Sequence, residues 1–209
     1  MEFIKEIWEG LSTTTISDAM GGERIMEMSM KPLNTASIVI GPACTVHLIN
    51  NDCSGVFDGL AIARPGDVLV IDTGRCTEYA FLGEIVAGMA RTIGLAGILV
   101  DGLVRDSISI KNSGFPVFCK GVIPRISKPL NCSETQTTIQ CGGITVHPGD
   151  LIFGDADGIA VVPPDQMGEV FIKAKKKEEM DQEKLARLID NPEAIQCFLQ
   201  KKEHKVTLD

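Results

Sequence analysis

Pro65-Gly66-Asp67-Val68-Leu69-Val70-Ile71 and, after a helical stretch, Gly97-Ile98-Leu99-Val100-Asp101 decide how this 209-residue chain folds. In each, a turn signal runs into an unbroken β-branched and aliphatic segment, too short for a helix and apolar on both faces, as a strand buried on both sides requires. Between them, Ile85, Val86, Met89 and Ile93 recur at helical spacing, with Glu84 at the front and Gly94 at the close. Strand, helix, strand in that order predicts parallel pairing through a crossover. This brings the ends of both strands and the start of the helix to one sheet edge, where ligands of open α/β sheets gather.

Around this unit the pattern predicts further elements. Short helices are expected over Ile4 to Leu11 and Ser17 to Met20, with Ser12 to Thr15 as capping hydroxyls between them. A strand from Ser37 to Ile49 should bend at Gly41-Pro42, followed by a helix over Gly55 to Ala63. Gly114 to Phe118 reads as another strand, and strands dominate Thr135 to Val162. The Pro-Gly-Asp turn recurs at Pro148-Gly149-Asp150, a reused device more than a repeat. After Pro163-Pro164 a long amphipathic helix spans Asp165 to Ile189, and Asn191-Pro192 starts a final short one. This divides the chain into an α/β domain over 1–164 and a C-terminal helical extension over 165–209.

Composition excludes several functions. A net charge of −8 repels phosphate backbones and anionic lipid, and 5% aromatics leave little for stacking bases, so neither nucleic acid nor membrane is an expected partner. The lysines at 173 and 175–177 are followed by Glu178 and Glu179, as on a solvated helix. The N-terminus lacks a signal-peptide core and no apolar run would span a bilayer, so a cytoplasmic protein is expected. Seven cysteines, none spaced C-x-x-C, read as reduced packed thiols. No nucleophile elbow, phosphate loop or dinucleotide fingerprint occurs.

On the predicted edge lie Thr73-Gly74, Gly83-Glu84-Ile85-Val86 and Gly102 to Asp106. Amides of Ile85 and Val86 at the helix start could receive a carboxylate, and the Arg105 guanidinium could complete the clamp beside Asp106 and Glu84. If the helix began near Thr77 instead, those amides would be used up. Each part also has an ordinary reading: Arg105-Asp106 as a surface ion pair, Glu84 as a helix-dipole acid, Asp101-Gly102 and Asp155 to Gly158 as turns, His47 and His147 as structural.

Ser17-Asp18-Ala19, Gly41-Pro42-Ala43, Pro65-Gly66-Asp67-Val68, Leu82-Gly83-Glu84, Asp101-Gly102-x-x-Arg105-Asp106, Gly114 to Phe118 and Asp157-Gly158 together resemble the RraA-like family. That family includes the class II pyruvate aldolases acting on 4-hydroxy-4-methyl-2-oxoglutarate and 4-carboxy-4-hydroxy-2-oxoadipate. The resemblance implies a layered swivelling-domain-like (β/β/α) sandwich assembled as a homotrimer or dimer of trimers, with active sites between subunits. It implies a divalent cation, Mg2+ or Mn2+, on Asp106, with Arg105 holding the pyruvyl part of a small 2-oxo acid substrate. The amides of Ile85 and Val86, beside Gly83, would take its carboxylate, and Glu84, where the best-known aldolases have Asp, would contact metal-bound water. An acid from a neighbour's C-terminal helix is also implied, with Glu178, Glu179 and Glu183 as candidates. The function expected is a retro-aldol lyase releasing pyruvate, with oxaloacetate decarboxylation beside it. Two alternatives stand: a non-catalytic protein that binds and restrains a ribonuclease, and the same metal-assisted chemistry on a sugar acid or another 2-oxo acid.

Overall fold

The computed structural model describes residues 6–206. Strands β1 (Lys31–Pro32), β2 (Val39–Leu48), β3 (Val68–Asp72), β4 (Gly97–Val104), β5 (Val117–Val122), β6 (Ser133–Thr135), β9 (Leu151–Gly154) and β10 (Ile159–Val162) form one 8-stranded sheet, in the order β1-β5-β4-β3-β2-β9-β10 with β6 on β2. A hairpin of β7 (Ile139–Cys141) and β8 (Ile144–Val146) stands apart. From β2 to β5 the pairing is parallel, and each crossover carries a helix: α2 (Gly55–Ile62), α3 (Glu84–Ile93) and α4 (Ser107–Ser113). The remaining helices are α1 (Thr13–Ala19), α5 (Met167–Leu188) and α6 (Pro192–Val206). This is the α/β sandwich, with helices at the C-terminus, that the family pattern implies.

Why the central strands are apolar throughout follows from the layers. Leu69, Ile71, Ile98 and Val100 point to the helical side, where Val56, Leu60, Val86, Ala90 and Ile110 cover them. Val68, Val70 and Leu99 point the other way, onto Met26, Met30, Ile139, Val146 and Val161. Alternate residues enter different cores, so no polar face is left. A third cluster lies outside β9 and β10, where Ile16 of α1 and Val170 and Ala174 of α5 pack with Trp8 and Phe153.

The expected bend in β2 is real and splits its pairing. Val39 to Pro42 run antiparallel to β9, whereas Ala43 to His47 run parallel to β3. A β-carbon at Gly41 would lie 2.2 Å from the Gly66 carbonyl oxygen, so the bend depends on this glycine. The Pro-Gly-Asp echo is equally concrete. Asp67 Oδ2 accepts the Arg64 N–H at 2.8 Å, and Asp150 Oδ2 accepts the His147 N–H at 2.9 Å. Gly66 and Gly149 both take left-handed φ, +88° and +86°.

Some expectations need correction. The second helix starts at Thr13, not Ser17, because Ser12 alone is the cap and exchanges hydrogen bonds with Thr15 in a capping box. Residues 6–8 are helical, and the part of the first expected helix before residue 6 lies outside the described residues. β5 begins at Val117, since Gly114 closes α4 in a left-handed conformation. Asp101-Gly102 is no turn: both belong to β4, and Asp101 is buried. The last helix runs 15 residues, longer than the short one expected, with Asn191 Oδ1 accepting the Ala194 N–H.

Candidate functional site

Residues 73–83 do not begin a helix, because their end pairs with the tip of β4. Ala80 bridges Leu103 and Ile126, the Phe81 N–H donates to the Leu103 carbonyl at 3.1 Å, and the Arg105 N–H donates to the Leu82 carbonyl at 2.9 Å. With Phe81 and Leu82 buried, the segment is fixed and Gly83 is delivered beside Arg105 and Asp106. Helix α3 therefore starts at Glu84, with Gly83 as N-cap, and the Thr77 start is not used. The N–H groups of Ile85 and Val86 fall in the first turn, where an α-helix has no acceptor of its own to offer.

Asp106 sits at the N-cap of α4 with φ 55° and ψ 35°, in the left-handed region, yet its side chain does not cap its own helix. Oδ2 reaches the neighbouring helix instead, accepting the Glu84 N–H at 3.2 Å. Such a backbone costs on the order of 1 kcal/mol and gathers at functional sites. The same Oδ2 lies 3.5 Å from Arg105 Nε, an atom that is buried and has no hydrogen-bond partner among the described residues. Arg105 and Asp106 are thus an ion pair and, at the same time, the two charged walls of an open cavity of about 300 Å³. Ser107, Val122, Ile123 and Pro124 complete its lining.

Of the expected site residues, Gly83, Glu84, Arg105 and Asp106 come together. Ile85 and Val86 follow in the same turn, with the Val86 side chain buried in the core and that of Ile85 exposed. The Glu84 carboxylate is exposed and makes no ion pair among the described residues. Glu178, Glu179 and Glu183 lie on α5, which packs against α1, and none lines the cavity.

Groups of at least three His, Cys, Asp or Glu side chains able to hold a metal are absent among the described residues. A closed protein cage is therefore not what this site offers. Asp106 Oδ1 accepts no hydrogen bond among the described residues, and a hard cation of the Mg2+ kind needs only one or two protein carboxylates, filling its sphere with water and substrate oxygens. The donor set fits that mode of binding.

Two supporting groups were not anticipated. Asp52 is fully buried and its carboxylate accepts the Ser54 N–H and hydroxyl, the Leu130 N–H at 2.7 Å and the Cys132 N–H at 2.9 Å. Burial pushes its pKa up, but these donors, the Ser54 hydroxyl first, hold it down at about 2. It ties Leu130 and Cys132, beyond the cavity-lining Ile123 and Pro124, to the turn after β2. Asn50-Asn51-Asp52, the first two at positive φ, was a legible turn signal. The second is a row of polar contacts across adjacent strands: His47 Nδ1 lies 3.0 Å from Asp72, and Asp101 beside it pairs with Lys120, which also meets Glu27 at 2.5 Å. Asp72 and Asp101 further accept the N–H groups of Gln140 and Gly142, clamping the β7–β8 hairpin. Asp155, read as a turn, caps Thr13 through its N–H and hydroxyl.

Comparison with known proteins agrees with this architecture. The RraA-like family model, described as aldolase/RraA, matches residues 13–161. A Halalkalibacterium halodurans protein provisionally named a 4-hydroxy-4-methyl-2-oxoglutarate aldolase is 42% identical over 205 residues, covering 98% of this chain and 97% of that protein. An uncharacterised Pseudomonas syringae protein superposes with a TM-score of 0.81 at 23% identity, covering 94% of this chain and 96% of the other. The RNA-processing inhibitor RraA from Thermus thermophilis superposes with a TM-score of 0.66 at 26% identity, covering 73% and 92%. No helix among the described residues is long and apolar enough to cross a membrane.

Proposed function

The chain belongs to the RraA-like family, and on that premise we propose that it is a divalent-metal-dependent lyase. It releases pyruvate from a 4-hydroxy-2-oxo acid such as 4-hydroxy-4-methyl-2-oxoglutarate by retro-aldol cleavage, and it decarboxylates oxaloacetate. The observation that carries this reading is the Asp106 carboxylate, turned from its own helix to the α3 N-terminus and standing against the buried Arg105 Nε, which has no hydrogen-bond partner among the described residues. An ordinary surface ion pair needs neither a left-handed backbone nor a neighbouring helix end.

In this reading Arg105 orients the 2-oxo acid, and the first-turn amides of Ile85 and Val86 receive its carboxylate. Asp106 is the residue that would hold Mg2+ or Mn2+, whose charge when bound supplies Lewis-acid polarisation of the 2-oxo group. Arg105 also stabilises negative charge that develops on the pyruvyl half as the carbon-carbon bond breaks. Glu84, an exposed acid in the first turn of α3, exchanges the proton through water. The protein is cytoplasmic and homotrimeric in this reading, with a neighbour closing the open side of the cavity.

The test is pyruvate release from 4-hydroxy-4-methyl-2-oxoglutarate and from oxaloacetate, with Mg2+, with Mn2+ and after chelation. Metal-dependent release from either substrate supports the lyase. Silence in every condition leaves the second reading, favoured by the likeness to the Thermus RNA-processing inhibitor: a non-catalytic regulator that docks its acidic surface on a ribonuclease.

A further inference from the structure

One hydroxyl joins the two segments that build the site. Thr73, 2% exposed just past the end of β3, donates from Oγ1 to the Asp101 carbonyl at 2.6 Å, and the same oxygen accepts the Cys76 N–H at 3.3 Å. The first bond grips β4, which runs on to Arg105 and Asp106. The second grips the segment that delivers Gly83 and Glu84. The Asp106 Oδ2 contact with the Glu84 N–H spans these same two segments, so its length depends on how they are held together.

The place gripped on β4 is a bulge. Its register with β5 passes from Val100 opposite Cys119 to Leu103 opposite Gly121, three steps against two, and the ladder is interrupted at Asp101-Gly102. A bulge bends its strand and re-aims the side chains that follow, here Arg105 and Asp106. A carbonyl at such a break needs a partner from outside the ladder, and Thr73 supplies it. The Asp101 carboxylate is fixed as well, by the Gly142 N–H at 2.9 Å and by Lys120. Thr73 also packs directly on the second bulge residue. A β-carbon at Gly102 would stand 2.7 Å from Thr73 Oγ1 and 2.9 Å from its Cγ2, so any side chain there would displace the hydroxyl.

We propose that Thr73 is a positioning residue of this site: its hydroxyl, through the Asp101-Gly102 bulge and the Cys76 amide, sets where the Arg105–Asp106 pair stands against the α3 N-terminus. Thr73 lines no part of the cavity and acts only through its neighbours. The inference rests on the lyase reading for its turnover readout, and on the Asp106 carboxylate alone for its metal-binding readout.

The test compares Thr73→Val and Thr73→Ser with Thr45→Val. Thr45 is fully buried in β2, lines no part of the cavity and donates its hydroxyl to the Thr137 carbonyl at 2.6 Å, so Thr45→Val removes a bond of the same kind elsewhere. Each full-length protein is read by Mn2+ titration without substrate, by pyruvate release and by urea unfolding. Thr73→Val is expected to weaken Mn2+ binding about tenfold and to lower kcat about tenfold or more, the usual scale for groups that orient a metal-holding residue. Thr73→Ser keeps the hydroxyl and is expected to restore most of both. Thr45→Val is expected to lower the urea midpoint as Thr73→Val does while leaving Mn2+ affinity and kcat unchanged. Losses in Thr73→Val no larger than in Thr45→Val overturn the inference, and so does a Thr73→Ser protein as impaired as Thr73→Val. Should Thr73→Val fail to fold, Gly102→Ala, which crowds the same hydroxyl, is read in its place with the same expectation. A parent protein that binds Mn2+ and releases no pyruvate removes the lyase reading and leaves the Mn2+ titration to decide this inference. One that does neither overturns both.

Discussion

Asp106 occupies the space that a side chain at position 83 would need: a β-carbon on Gly83 would stand 2.2 Å from Asp106 Oδ2 and 3.0 Å from Arg105 Cγ. Gly83 has an extended backbone, φ −142° and ψ −160°, that any residue can adopt, so its requirement is for room rather than for conformational freedom.

Gly83→Ala is therefore expected to leave folding largely intact while pushing the Asp106 carboxylate off the α3 N-terminus. A displacement of about 1 Å in a reacting constellation can cost on the order of 10²-fold in rate. Pyruvate release should fall by about that factor, with the urea midpoint little changed. Retention of full turnover would mean that Asp106 need not stand where it does.

Arg105→Ala and Asp106→Ala should each lower kcat by on the order of 10²-fold or more, as loss of a positioned charge does elsewhere. Arg105→Lys should recover only part of this, because an ammonium cannot reproduce the planar fork on a carboxylate. Asp106→Ala should also weaken Mn2+ binding measured by titration of the protein without substrate.

Asp52 gives a pH dependence whose sign is fixed by its low pKa. A carboxyl held at about 2 in the fold and near about 3.9 when unfolded contributes its full stabilisation above the unfolded value. That contribution is lost as the pH falls towards 2. Asp52→Asn should cost about 2 kcal/mol near pH 6, and the difference between variant and parent in urea unfolding should narrow as the pH drops from 4 towards 2. A constant difference across that interval would remove the carboxylate from the account.

Asp101 and Lys120 form a pair whose acid is almost wholly buried, with side-chain exposures of 1% and 17%. Burial lowers the Lys120 pKa, but Asp101 and Glu27 more than offset it, and the net direction is upward. Asp101→Ala leaves the ammonium with Glu27 alone and the Gly142 N–H without its acceptor, at a cost of about 3 kcal/mol. Adding Lys120→Met should restore part of that stability, so the double-variant cycle in urea unfolding is expected to be non-additive.

Much of the fold was legible because the pattern was local. The runs at Val68 and Gly97, the stripe of Ile85, Val86, Met89 and Ile93, and the Pro-Gly-Asp turns each state their element within a few residues. Helix α4 was missed, since Ser107 to Ser113 carries one buried residue, Ile110, and offers no stripe to read. Asp101 was misread as a turn because Asp-Gly is a turn signal in sequence. Its buried place in β4 depends on Lys120 and Gly142, which come from remote parts of the chain.

By itself the sequence determined the parallel strand-helix-strand unit, the edge on which Arg105, Asp106 and Glu84 fall, and the family to which the chain belongs. All of these follow from short-range periodicity and from motifs of a few residues. Only the tertiary structure decided that α3 starts at Glu84, that Asp106 turns away from its own helix to cap that one, and that the cavity beside Arg105 has an aliphatic far wall. The physical reason is that the tip of β4 captures residues 80–82 by backbone hydrogen bonds, a pairing between distant segments that no local pattern encodes.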